Sequence, residues 1–315
     1  MSHKIILDTD PGIDDAMAIF FAFQSPEIEV LGLTTVFGNV PVEMAAQNAL
    51  TLCELAGKDI PVCKGVSRAW VGKESTYAHF VHGDDGFGNI NFPPATKAKL
   101  DPRSSAQFIV DMARQYPGEV TIVAIGPLGN LALALRLEPE LPKLIKGVSI
   151  MGGAAFVQGN VTPVAEANIW NDAYAAEIVF AADWEVTMFG LDVTLQVPFS
   201  LEFLNKLKAC NQKFGGFVHD AAQFYVEFYS EHRADKVCFF HDTMPLAHLV
   251  DPTLFEFQVG HARVSTDPLN IGQTSIAPVN STTSADWLNA RQIKVATQVD
   301  IQRITQLYLD TYARA

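Results

Sequence analysis

Up to Leu191, short β-branched apolar runs alternate with longer amphipathic stretches, and this alternation leaves few folds open. The runs Lys4–Leu7, Glu29–Thr35, Ile60–Cys63, Val120–Ile125, Gly147–Met151 and Val186–Leu191 read as strands. Between them, Asp14–Gln24, Val42–Ala56, Ser104–Tyr116, Leu128–Leu137 and Ala173–Ala182 carry helical periodicity. Strand and helix repeated in this way imply a parallel sheet covered on both faces. The near-continuous apolar character of the strands agrees, because parallel strands are buried on both sides.

The expected class is thus α/β, with an open, mostly parallel, Rossmann-like central sheet and helices on both faces. After Pro198 the pattern turns mostly helical, through Leu201–Ala209, Phe217–His232 and Thr243–Leu249. A short β-like patch, Phe255–Val264, and a loop rich in Ser, Thr and Asn lead to a last helix, Asp300–Tyr312. This region is expected to cap the sheet with helices. No Gly/Ser or Pro-rich linker and no internal repeat breaks the 315 residues, so one domain spanning 1–315 is expected.

With 49% hydrophobic and 18% charged residues, the chain can build a substantial core. A net charge of −13 without a basic stripe excludes a protein that tracks a nucleic-acid backbone. No stretch approaches a membrane span, and "MSHKIILD" lacks the apolar run of a signal peptide. Cys53, Cys63, Cys210 and Cys238 show no CxxC spacing and read as reduced thiols of a cytoplasmic protein.

Ligands of open α/β sheets bind beyond the carboxyl ends of the strands. Polar residues gather there: "DTDPG" after the first strand, "TTVFGN" (Thr34–Asn39) after the second, then "GPLGN", "GGAAFVQGN" and "DVT" (Asp192–Thr194). The densest cluster is "KIILDTDPGIDDA", where Asp8 and Asp10 end a buried strand and Asp14 and Asp15 open the next helix. A helix N-terminus tolerates one or two carboxylates, which accounts for Asp14 or Asp15 but not for Asp8 and Asp10. Carboxylates about 4 Å apart repel by about 4 kcal/mol at an effective dielectric of about 20, so protons or a cation must compensate them. With no His or Cys interleaved, a hard divalent ion such as calcium or magnesium fits better than zinc. The EF-hand pattern fails, since Ile13 and Ile19 stand where its Gly and Glu belong. Asp8 and Asp10 also match the D-x-D of haloacid-dehalogenase-like phosphatases, although Gly12 stands at its Thr/Val position.

"CFFHDTMPLAHLVDP" (Cys238–Pro252) again sets an acid, Asp242, after an apolar run and ahead of a helix. It offers a second acidic arm for an all-oxygen cation site. His248, two turns after His241, reads as a packing histidine.

Together these segments resemble the nucleoside hydrolase family, of the inosine–uridine-preferring type, over nearly the whole length. The carriers are "DTDPGIDDA", "TTVFGN", "HG" (His82-Gly83), "GPLGN", "MGG" (Met151–Gly153), "GNVTPVAEANI" (Gly159–Ile169) and "HD" (His241-Asp242). The resemblance implies a Ca²⁺ held by Asp10, Asp15, Asp242 and the Ile125 carbonyl, with Asp8 supporting from behind. It implies ribose contacts from Asp14, Asn39, Met151, Asn160, Glu166 and Asn168, and a base bordered by His82, Tyr225 and Tyr229, with Arg233 nearby. Water beside such an ion is more acidic than bulk water, so Asp10 is expected to act as general base. His241, titrating near neutrality, is expected to protonate the departing base. The glycines around His82 suggest a loop that closes over substrate.

Two positions depart from the family pattern. Ala167 stands where an aromatic residue is frequent, which leaves the preferred base open. Leu195 stands where a His is frequent, a change expected to alter packing only. None of Trp70, Trp170, Trp184 and Trp287 falls on the wall that purine-specific relatives build from tryptophans. The implied activity is Ca²⁺-dependent hydrolysis of ribonucleosides for salvage, by a homodimer or homotetramer without nucleic-acid or membrane partners. A non-catalytic, calcium-dependent nucleoside-binding protein is the alternative from another class.

Overall fold

A computed structural model of the chain describes residues 2–72, 77–231, 235–279 and 284–314. Arg233 lies outside the described residues. Among the described residues, the main sheet has nine strands. The first six in chain order are β1 (His3–Thr9), β2 (Ile28–Thr35), β3 (Val62–Lys64), β4 (Val120–Ala124), β5 (Gly147–Met151) and β6 (Val186–Phe189). A two-stranded ribbon, β7 (Phe199–Ser200) with β8 (Val237–Cys238), stands apart. The main sheet is completed by β9 (Phe255–Val264), β10 (Thr274–Pro278) and β11 (Gln292–Val299), in the order β10-β9-β11-β6-β5-β4-β1-β2-β3.

β1 to β6 pair in parallel, as the alternation predicts. The helices expected after Pro198 are present, and the same region adds three strands to the main sheet, of which β9 matches the expected β-like patch Phe255–Val264. β11 runs parallel to β6, and β9 lies antiparallel to both β11 and β10. β10 and β11 escaped the sequence reading because their surroundings are polar. In "QIKVATQV" Ile293 and Val295 are buried while Gln292 and Lys294 are exposed, a half-covered strand rather than an apolar run.

Period-2 alternation along β1 feeds two apolar layers. Ile5 and Leu7 pack into the layer under the first helix, Ile13–Gln24, and Ile6 into the opposite layer. The helix Ile13–Gln24 is apolar nearly all round and buried along ten of its residues, as an internal helix must be. Phe20 stacks on Phe214 at 4.9 Å, Phe21 meets Tyr308 edge-on, and the Tyr312 hydroxyl donates to the Met17 carbonyl at 3.0 Å. The helices Phe214–Ser230 and Ile301–Ala313 therefore clamp the helix that carries Asp14 and Asp15.

His248 packs among Phe189, Phe255 and Phe257, as expected of a packing histidine. Burial pushes it down to about 4, with Lys294 and His3 adding repulsion. The unfolded chain takes up a proton near 6.5 that the folded chain refuses until about 4. Stability from this group is thus present above that upper value and lost as pH falls. His248→Leu is expected to narrow the gap between melting temperatures at neutral and mildly acidic pH. An unchanged gap would remove His248 from the account of acid sensitivity.

Candidate functional site

The strand order reverses at β1. The chain runs outward through β2 and β3, then returns to place β4 on the other flank of β1. The crevice beyond β1 and β4 is thus the switch point where open α/β sheets hold ligands. Asp8 and Asp10 leave β1 there, and Ile125 follows β4, its N–H bonded to the Asp8 carbonyl at 2.8 Å.

Asp8, Asp10, Asp14, Asp15 and Asp242 are all buried. Ligand oxygens of Asp14, Asp15 and Asp242 lie within 4.8 Å of one another, so the acids from the two ends of the chain do meet. Asp10 stands beside this trio and feels the charge of Asp15 and Asp14. Its Oδ2 accepts the Asn39 N–H at 2.6 Å. Asp15 is the most heavily held of the set. It accepts from the Thr9 hydroxyl (2.5 Å), the N–H groups of Asp10 and Gly12, and the Asn39 amide (3.0 Å).

Burial, followed by mutual repulsion, drives the carboxyls of Asp10, Asp14 and Asp242 well above their ordinary range. Burial also raises Asp15, but its donors hold it back. Among the described residues, Asp10 Oδ1, Asp14 Oδ1 and, next to them in sequence, Asp8 Oδ2 are buried without a hydrogen-bond partner. Unpaired carboxylate oxygens beside a cluster of acids are what a hard cation resolves, and the donor set is all oxygen. The residues present therefore fit a divalent cation of the calcium or magnesium type.

Asp8 is a different case. Its Oδ1 accepts from the Thr34 hydroxyl (2.5 Å) and the Asn130 amide (2.8 Å), and burial pushes the carboxyl up to about 7. With its Oδ1 taken by two donors from neighbouring strand ends, Asp8 reads as a residue that braces the cluster, which disfavours the D-x-D reading of it as a phosphatase nucleophile. Asn130 also donates to the Thr35 carbonyl and accepts from Val66 N, tying three strand ends together. Sequence reading quoted "GPLGN" but assigned Asn130 no role; its position at a strand end was the available signal.

On the far side of the crevice, Asn168 donates its amide to the carbonyls of Ile125 (3.0 Å) and Met151 (3.1 Å). A carbonyl has two lone pairs, so Ile125 keeps one for another partner. Glu166 caps the helix Ala167–Asn171, accepting N–H bonds from Gly153, Asn168 and Ile169. Asn160 is exposed and accepts from the Ala167 N–H, which sits where the aromatic residue was expected. Asn39, expected at the sugar, turns both its donors toward Asp10 and Asp15.

His241, Tyr229, Tyr225 and His82 form one neighbourhood. His241 Nε2 lies 3.0 Å from the Tyr229 hydroxyl, and its Nδ1 lies 2.7 Å from the Thr194 hydroxyl. Burial pulls His241 down to about 4, so it is neutral near pH 7 rather than half-protonated as the sequence suggested. Tyr225 reaches Asp14 Oδ2 at 3.4 Å and packs on both Tyr229 and His82. His82, expected on an open loop, is buried at the end of the short helix His79–His82. Its Nδ1 accepts the Ile13 N–H at 3.2 Å, which fixes the tautomer with the proton on Nε2. Burial, with the His241 charge behind it, holds it down to about 3.

Leu195 is 39% exposed at the end of the helix Leu191–Thr194, so its departure from the pattern faces solvent instead of packing. Trp184 is buried with its indole N–H on the Val179 carbonyl, away from the crevice. Among the described residues, no helix is long and apolar enough to cross a membrane.

A sequence model described as inosine-uridine preferring nucleoside hydrolase matches residues 5–306. The chain is 40% identical to uridine nucleosidase 1 of Arabidopsis thaliana over 309 residues, covering 96% of this chain and 91% of that one. A solved plant nucleoside hydrolase superposes with a TM-score of 0.95 at 38% identity, covering 99% of both chains. A purine-preferring ribonucleoside hydrolase from Gardnerella vaginalis superposes with a TM-score of 0.90 at 33% identity, covering 98% of each. With the crossover, the buried acids and these similarities in agreement, the chain belongs to the inosine-uridine preferring nucleoside hydrolase family.

Proposed function

We propose that the protein hydrolyses the N-glycosidic bond of ribonucleosides, with uridine and inosine as its first substrates and Ca²⁺ at the acid cluster. The observation that carries this reading is the pair of unpartnered buried oxygens, Asp10 Oδ1 and Asp14 Oδ1, beside the Asp14–Asp15–Asp242 group. Asp10, Asp15, Asp242 and the Ile125 carbonyl would hold the cation. When bound, the cation supplies positive charge against the carboxylates, oxygen coordination for a sugar diol, and a more acidic neighbouring water.

The chain's own groups divide the remaining work. Asp10, with one oxygen fixed by Asn39, takes the proton of the attacking water on the other. Asp14, Asn160, Glu166 and Asn168 hold the sugar hydroxyls, and Asp14, beside the acid cluster, stabilises the positive charge that develops on the ribose. Met151 backs Asn168 through its carbonyl. On the other face, the departing base gathers electron density and needs a proton. His241 gives it from its protonated form and returns to the neutral ring, which the Tyr229 and Thr194 hydroxyls hold in place at its two nitrogens. Tyr225, Tyr229 and His82 border the base.

The relatives' printed preferences, uridine in one and purines in another, support a nucleoside substrate without fixing the base. The absence of His and Cys from the acid trio favours Ca²⁺ over zinc. The free thiols are compatible with a reducing cytoplasm, and a salvage role and assembly into two or four copies complete the reading.

The test is turnover of uridine, inosine, adenosine, guanosine and cytidine before and after chelation. Hydrolysis of uridine or inosine, lost on chelation and regained with Ca²⁺, is the expected result. Calcium and nucleoside binding without any released base would convert the reading to that of a non-catalytic binding protein.

A further inference from the structure

The short helix Leu191–Thr194 ends β6 and carries two buried polar side chains. Thr194 meets His241, as described. Asp192 faces elsewhere. Its Oδ2 accepts the Ala155 N–H at 2.9 Å and its Oδ1 accepts the Phe156 N–H at 2.7 Å. Both residues lie in the loop that leaves β5 and reaches Asn160 and Glu166.

The ends of β5 and β6 are joined by backbone bonds as far as Gly153. Gly152 N–H reaches the Phe189 carbonyl, and Leu191 N–H reaches the Gly153 carbonyl at 2.9 Å. A Cβ on Gly190 would lie 2.6 Å from that same carbonyl, so the two strand ends sit in direct contact. Asp192 extends the junction by two residues. Beyond it, the next bond within the loop is Gly159 N–H to the Pro163 carbonyl. Among the described residues, the hydrogen bonds recorded for the stretch 155–158 are the two to Asp192. That stretch exposes Phe156 and Val157, an apolar pair with little intrinsic reason to stay put in water.

We propose that Asp192 is a positioning residue for nucleoside capture, pinning the 155–158 segment so that the arm carrying Asn160 and Glu166 keeps its place around the sugar. The proposal rests on the function given above. Asp192 touches neither the acid cluster nor His241, so its effect falls on binding and leaves the chemical step alone. A misplaced loop weakens the hold on the substrate while Asp10 and His241 keep their geometry.

Ca²⁺-loaded wild type, Asp192→Ala and Asp192→Asn are compared by steady-state kinetics on uridine and by amide hydrogen exchange. The alanine variant is expected to raise KM about tenfold with kcat within about twofold. The asparagine variant keeps an acceptor for one of the two N–H groups and is expected to raise KM by about threefold. Exchange at residues 154–158 accelerates in the alanine variant and slows again with saturating uridine. Faster exchange with an unchanged KM would overturn the proposal, leaving Asp192 a purely structural anchor. A fall in kcat at constant KM would also overturn it, placing the effect on the His241 side. Should the alanine variant fail to fold, the asparagine variant decides by the same KM criterion. Wild-type protein that releases no base from uridine would defeat the functional reading itself, and that result is read before either variant.

Discussion

Asp242→Asn is expected to abolish uridine turnover while making the metal-free protein more resistant to heat. Both effects follow from one circumstance. Asp242 is a buried carboxylate in reach of Asp15 and repelled by Asp14, Asp15 and Asp10. An amide removes one charge from that cluster and can donate to the Asp15 carboxylate, so without a cation the folded state gains. The same change takes away a charged oxygen ligand. In the wild type, Ca²⁺ at about a thousand times its dissociation constant should add about 4 kcal/mol of stability, which scanning calorimetry reads as a rise in Tm. In Asp242→Asn that rise is expected to vanish, and kcat/KM to fall at least about a thousandfold. A variant that keeps the full calcium-induced shift would place the cation elsewhere.

His241→Ala should discriminate between leaving groups. With uridine or inosine, whose bases depart poorly without a proton, kcat/KM is expected to fall by about a hundred- to ten-thousandfold. With p-nitrophenyl riboside, whose phenolate needs no proton, it should stay within about threefold of wild type. Tyr229→Phe should reproduce a smaller part of the same selectivity, since Tyr229 contacts His241 Nε2. Equal losses on both substrates would show that the ring holds the pocket together and donates nothing.

The parallel half of the sheet was legible because its strands are apolar on both faces; β5 and the helix Val42–Ala56 match their predicted bounds. β10 and β11 were not, because a strand covered on one side at a sheet's rim carries little apolar signal. The acid cluster could be read from the crowding of Asp8 to Asp15, and Asp242 from its similar setting before a helix. What the sequence could not supply was pairing. It could not say that Asp14 comes within 4.8 Å of Asp15 and Asp242, that Asn39 turns to the acids, or that Asn130 holds Asp8 from 122 positions away. Nor could it say that His82 is buried against Ile13 N–H, since its flanking glycines read equally well as an open loop.

The floor beneath Asp10 is made of main chain. A Cβ on Gly38 would fall 2.0 Å from one Asp10 oxygen, and one on Gly126 would fall 2.5 Å from the other. For anyone wishing to retrain this enzyme on modified sugars or unnatural bases, libraries aimed at that floor would be wasted. Variation belongs instead at Phe156, Val157, Asn160 and Ala167 on one bank, and at Tyr225 and Tyr229 on the other.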